Sequence, residues 1–148
     1  MTVRRTTAVA VVLASTVGGL VAAGGAGAAA KPQVLNATLS GEEEVPEGGQ
    51  GSGTARLTLD PATGRVCFNI RLRGVGPTAA GHIHKGAKGK AGDVVVPLYA
   101  KPTRAPRGCI KAPSTSIVKQ ILRRPGRYYV NVHTAEHPGG AARGQLTK

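Results

Sequence analysis

All four histidines of the chain fall in two short clusters, His82-Ile83-His84 and His133 with His137, each at the end of an apolar stretch that reads as a β-strand. Side chains two apart on a strand project from one face, so His82 and His84 present two imidazoles side by side, their Cα atoms about 6 to 7 Å apart. Imidazole is the commonest protein ligand for zinc and copper. In the later strand Tyr129, Asn131 and His133 alternate with Tyr128, Val130 and Val132, which gives His133 polar company. If strands near 79–84 and 127–133 are neighbours, His82, His84 and His133 converge as three ligands with an open fourth position, a donor set suited to copper or zinc. His137 is followed by Pro138-Gly139-Gly140, so its loop decides where it points and whether it joins as a fourth ligand. The competing role is structural, with each imidazole hydrogen-bonded to anchor a loop. Ring nitrogens within about 4 Å of one another favour the metal, since bonds near 2 Å to a common ion are then feasible.

Other chemistries find little support. A hydrolase wants a carboxylate pair or a nucleophile held by a base, and the only acids near the histidine clusters are Asp93 and Glu136. Ser114, Thr115 and Ser116 read as a helix N-cap region. The run Glu42-Glu43-Glu44 lacks the alternating oxygen ligands of a calcium loop and reads as a solvated loop. Lys85-Gly86-Ala87-Lys88-Gly89-Lys90 is glycine-rich and basic, but a phosphate loop needs a helix after it, and a strand follows here.

The elements that must position these residues are strands. Ala55, Leu57 and Leu59 alternate with Thr54, Arg56 and Thr58; Asp60-Pro61-Ala62-Thr63-Gly64 supplies a turn; Val66, Phe68, Ile70 and Leu72 then alternate with Cys67, Asn69, Arg71 and Arg73. This is a hairpin. Period-two stretches at 34–40, 79–84, 93–99, 127–133 and 141–147 bring the count to about seven strands, enough for a β-sandwich. One short helix is expected over Ser116–Arg124, where Ile117/Ile121 and Val118/Leu122 stack at i, i+4 before Pro125-Gly126. With Phe68, Tyr99, Tyr128 and Tyr129 as the only aromatics, the core must be built from Val, Ile, Leu and Ala.

Residues 1–30 read as a cleaved signal peptide: Arg4 and Arg5, an apolar run from Ala8 to Ala23, and a small-residue stretch ending Ala28-Ala29-Ala30. Large apolar residues are missing after the arginine pair, which favours the general secretory route over the twin-arginine one. No second hydrophobic stretch follows, so no transmembrane segment is expected after cleavage, and residues 31–148 have the size of one domain. The protein is expected to be secreted, extracellular or associated with the cell envelope. Its two cysteines, Cys67 and Cys109, should therefore pair, and closing that loop stabilises the fold by about 4 kcal/mol in the chain-entropy treatment. Cys67 lies on the polar face of its strand, so the bridge should clip the proline-rich segment 101–113 onto the outside of the sheet.

Loss of Arg4 and Arg5 takes the net charge from +13 to +11. Residues 31–80 are balanced, and the surplus lies from Gly81 onward, where thirteen basic residues face Asp93 and Glu136. Such a domain favours polyanions. Nucleic acid is a poor candidate without an aromatic stacking platform or recognition motif; anionic cell-envelope polymers, lipid headgroups or an extracellular protein fit better. Lys85, Lys88, Lys90, Arg123, Arg124 and Arg127 are the candidate polyanion-binding residues.

The blocks LSGEEEVPEGG (39–49), AGHIHKG (80–86), GDVVVPLY (92–99), YVNVHT (129–134) and GGAARGQL (139–146) resemble, in order and spacing, the signature blocks of the CHRD (chordin) domain. The resemblance covers nearly all of residues 31–148. It implies an extracellular β-domain with no assigned catalytic residues, hence a noncatalytic binding or structural module. A second, weaker similarity is to Cu/Zn superoxide dismutase, an immunoglobulin-like Greek-key sandwich. His82, His84 and His133 look like its copper ligands, and Arg143 resembles the arginine that guides superoxide. That similarity implies a copper-dependent redox enzyme as the alternative function, although nothing between His84 and Asp93 resembles the dismutase zinc loop.

Overall fold

The computed structural model describes residues 30–46 and 48–148, so all but the last residue of the expected signal peptide lies outside the described residues. Eight strands follow one another as β1 (Gln33–Ser40), β2 (Ser52–Leu59), β3 (Arg65–Arg73), β4 (Thr78–Lys85), β5 (Val94–Tyr99), β6 (Arg107–Lys111), β7 (Tyr128–Thr134) and β8 (Ala142–Gln145), with helix α1 (Thr115–Arg123) between β6 and β7. They form one antiparallel sheet in the order β5-β4-β7-β8-β1-β2-β3-β6, folded over so that β5 and β6 approach. Among the described residues the all-β fold with a single short α-helix is therefore as expected, with eight strands in place of about seven.

The additional strand is β6. Its segment is bracketed by Pro102, Pro106 and Pro113, and proline inside a sheet is confined to edges. An edge is where β6 lies, paired to β3 alone. Within that pair Cys67 sits directly opposite Cys109, and the two are disulfide-bonded on the solvent side of the sheet. The bridge thus clips the proline-rich segment onto the outside of the sheet as expected, with that segment itself a strand paired to β3.

Alternation decides the core. Leu35, Ala37 and Leu39 of β1, Ala55, Leu57 and Leu59 of β2, and Val66, Phe68 and Ile70 of β3 point inward, against Ile83 of β4, Val96 and Leu98 of β5, and Val130 and Val132 of β7. Phe68 stacks on Tyr99 with ring centroids 5.8 Å apart, tying the two halves of the folded sheet. Helix α1 begins one residue earlier than its periodicity indicates, because Ser114 caps it by accepting a hydrogen bond from the Ile117 amide at 3.2 Å. Val118, Ile121 and Leu122 seal one end of the core. No helix among the described residues is long and apolar enough to cross a membrane.

Candidate metal centre

Because the apolar residues of β4 and β7 turn inward, their alternates share the opposite face. The register places His82 opposite Asn131 and His84 opposite Tyr129, then Asn131 opposite Arg143 and Tyr129 opposite Gln145 of β8. The result is a polar row three strands wide, and loops lie across it. The 86–92 segment crosses β4 so closely that a Cβ on Gly92 would stand 1.8 Å from the Lys85 carbonyl oxygen, which only glycine allows. The 135–140 turn contributes the Pro138 carbonyl, and the 3-10 turn after β1, Gly41–Glu43, delivers Glu44.

His82, His84 and His133 meet under this cover. One nitrogen of each ring lies within 4.8 Å of the others, somewhat wider than a 4 Å limit, while His82 Nδ1 and His133 Nε2 are 3.1 Å apart. Two ligands on one tetrahedral ion with bonds near 2 Å stand about 3.3 Å apart, so this pair already has ligand spacing. Two further ring nitrogens are engaged: His84 Nδ1 donates to the Gly92 carbonyl at 2.8 Å and His133 Nδ1 to the Pro138 carbonyl at 3.0 Å. A carbonyl only accepts, so each of these rings holds a proton on Nδ1 and in its neutral form turns a lone pair on Nε2 toward the cluster, where that of His133 accepts from His82 Nδ1, the arrangement by which a second shell orients metal ligands. His84 Nε2 is buried with no hydrogen-bond partner among the described residues.

Burial, reinforced by the His133 and His84 imidazoles alongside, pushes the His82 ring down to about 4. Burial likewise lowers His84, partly opposed by the Gly92 carbonyl. His82 and His84 therefore stand unprotonated at neutral pH, as metal ligands must.

Next to the histidines lies a second group. Asn131 Nδ2 donates to Glu44 Oε2 at 3.3 Å, Arg143 Nη1 donates to the Lys90 carbonyl at 3.1 Å, and the Arg143 guanidinium lies 4.4 Å from the centre of the Tyr129 ring. Tyr129 in turn stacks on His84 at 4.9 Å. Glu44, Asn131 and Arg143 are 5%, 4% and 2% exposed. Desolvation raises the Glu44 carboxyl to about 7, against the opposing pull of Arg143 and the Asn131 hydrogen bond. The solvated-loop reading of the glutamate run thus fails at Glu44 and holds for Glu42, which is exposed. Gly41 permits this, since a Cβ there would meet the Gly49 carbonyl oxygen at 1.5 Å where the chain folds back and Glu44 turns inward.

His137 is not part of the triad. Its ring packs on Gly49, where an added Cβ would lie 2.7 Å from Nε2, and its backbone closes the 134–140 turn through Thr134 and Gly140. Arg143 is buried, so the anion-guiding role implied by its likeness to the dismutase arginine has no exposed guanidinium behind it. The six candidate polyanion residues separate. Lys85, Arg123, Arg124 and Arg127 line one cavity of about 330 Å³ with Gln120 and Tyr128; Lys88 pairs with Glu43 at 2.8 Å; Lys90 lies on the loop whose carbonyl holds Arg143.

The family model of the CHRD domain matches residues 35–146, which takes in all but the first two residues of β1, the seven later strands and all three converging histidines. Neither a curated protein nor a solved structure matches the chain.

Proposed function

The chain belongs to the CHRD domain family, and on that premise we propose that it is an exported, noncatalytic binding module that holds one transition-metal ion, copper or zinc, on His82, His84 and His133. One observation carries the metal: His84 Nε2 is buried, fixed as a lone pair by the Gly92 carbonyl, and without a partner. A buried acceptor left unsatisfied costs on the order of 1–3 kcal/mol, and a metal ion shared with His82 and His133 removes that cost. Export is supported by the Cys67–Cys109 disulfide, which belongs to oxidising compartments, and by the leader-like composition of residues 1–30.

Calorimetric titration of metal-free protein with Cu²⁺ and with Zn²⁺ tests the reading. One equivalent of at least one ion should bind, and His82→Ala/His84→Ala should abolish the uptake. Absence of uptake, or uptake indifferent to that double substitution, leaves the histidines as loop anchors. The dismutase-like alternative separates on the same samples: copper-loaded protein that does not accelerate superoxide loss is a carrier or structural site, and acceleration that disappears in the double variant makes it an enzyme.

A further inference from the structure

The charge balance of residues 31–80 conceals a segregation that folding produces. β1, β2, β3 and β6 contain no aspartate or glutamate, and their outward alternates carry Arg56, Arg65, Arg71, Arg73, Arg107 and Lys111, all exposed. Of the acids that balance these residues in sequence, Glu42, Glu43 and Glu44 sit in and just after the 3-10 turn that follows β1, and Asp60 in the β2–β3 turn. Asp60 is at the rim beside Arg65 and is engaged by its own turn, accepting from the Thr63 hydroxyl and the Ala62 amide.

The cations are ordered by the register. One row across the strands reads Asn36, Arg56, Asn69, Arg107, and the next reads Thr38, Thr54, Arg71. Arg65 stands directly opposite Lys111, and like charges directly opposite on one face are destabilising. Three adjoining grooves of about 330, 480 and 310 Å³ run over this surface, and Arg71 lines all three.

We propose that the outer face of β1-β2-β3-β6 docks an extended anionic glycan polymer, with Arg56, Arg71 and Arg107 as its principal contacts. Neighbouring strands are about 4.8 Å apart and same-face residues about 6.8 Å apart, so the cations form an array matched to repeated charges instead of a cage for one small anion. Between them stand Asn36, Thr38, Thr54 and Asn69, donors and acceptors for sugar hydroxyls. No aromatic side chain lies among the outward alternates, so nucleobases have nothing to stack on. Val45 and Val94, the exposed large hydrophobics among the described residues, lie off this face, so it lacks the apolar anchor of an interfacial membrane binder. The cavity of Lys85, Arg123, Arg124 and Arg127 is a different surface and supplies the control.

The test is binding of the protein to immobilised dextran sulfate, with neutral dextran as blank and anionic phosphatidylglycerol vesicles as the competing surface. Arg56→Gln/Arg71→Gln/Arg107→Gln should weaken binding at least tenfold and flatten its salt dependence. Arg123→Gln/Arg124→Gln/Arg127→Gln, which removes the same charge, should change it less than threefold. Single variants Arg71→Gln and Arg123→Gln repeat the contrast should a triple variant fold poorly, with Arg71→Gln the weaker binder. Equal losses in the two sets, a loss confined to the Arg123 set, or vesicle binding that depends on Arg71 while dextran sulfate is ignored would each overturn the proposal.

Discussion

The two outer faces of the folded sheet obey the same alternation and reach opposite chemical states. On β4-β7-β8 the polar alternates lie beneath the 86–92 segment, the 135–140 turn and the 3-10 turn after β1; Asn131 and Arg143 fall almost out of reach of water, and His82 and Glu44 titrate far from their ordinary values. On β1-β2-β3-β6 nothing among the described residues crosses the sheet, and its arginines are exposed. A strand's pattern fixes which side chains face outward, while the loops decide whether outward means solvent. A covered polar face becomes a site for a small, tightly held group, and an open one a surface for something large.

The largest test of this contrast is the pH response of the covered face. Glu44 ionises at about 7 in the folded protein and near 4.5 when unfolded, so between those values the native state binds more protons than the unfolded state. Stability from this group is present at acid pH and declines as pH rises through that window, by up to about 3 kcal/mol. His82, depressed by burial, acts in the opposite direction below pH 6.5, so the informative quantity is the difference between proteins. Urea melts of metal-free wild type and Glu44→Gln from pH 5 to 8 should converge at the acid end and separate toward pH 8, the variant being the more stable. Parallel curves would mean that Glu44 is solvated and the face open.

How much of this was legible follows from the same distinction. Period-two alternation at Leu35–Leu39, Ala55–Leu59 and Val66–Ile70 announces strands and their inner face, and the pairing of His82-Ile83-His84 with the later His133 depends only on phase and adjacency. The eighth strand was hidden because prolines around 107–111 imitate a loop, although an edge strand tolerates them. Burial of Glu44 and Arg143 was hidden because it depends on where loops land, and loop paths leave no periodicity. The place of His137 was undecided for that reason too: the turn following Thr134 holds its ring over Gly49 instead of beside His133. The open cationic face was hidden by counting charge along the chain, when strand pairing gathers Arg56, Arg71 and Arg107 from distant positions.

A smaller test sets one arginine from each face against the other. Arg143→Met deletes the bond to the Lys90 carbonyl and the contact over Tyr129 while keeping an apolar stem in place. The expected loss is about 2 kcal/mol, from a charge-assisted hydrogen bond together with a cation–π contact. Arg71→Met exchanges one exposed side chain for another and should remain within about 0.5 kcal/mol of wild type. Chemical denaturation at fixed pH measures both, and equal losses would show that the covered face is no more tightly organised than the open one.

The smallest expected effect bears on why the open face is cationic at all. β6 is an edge strand, and edge charges, lysine above all, can serve to repel pairing with a second chain. The Arg65–Lys111 opposition costs stability under that explanation and under ligand binding alike, so stability alone does not separate them. Lys111→Thr removes the repulsion and leaves Arg65 its Asp60 neighbour. The melt should rise by a few tenths of a kcal/mol at low salt and coincide with wild type at high salt, where surface charges are screened. Sedimentation of the same variant then assigns the purpose. A monomer with weakened dextran sulfate binding means the charge serves a ligand, whereas a concentration-dependent dimer with binding unchanged means it guards the edge, leaving Arg56 and Arg71 on the interior strands to carry the recognition.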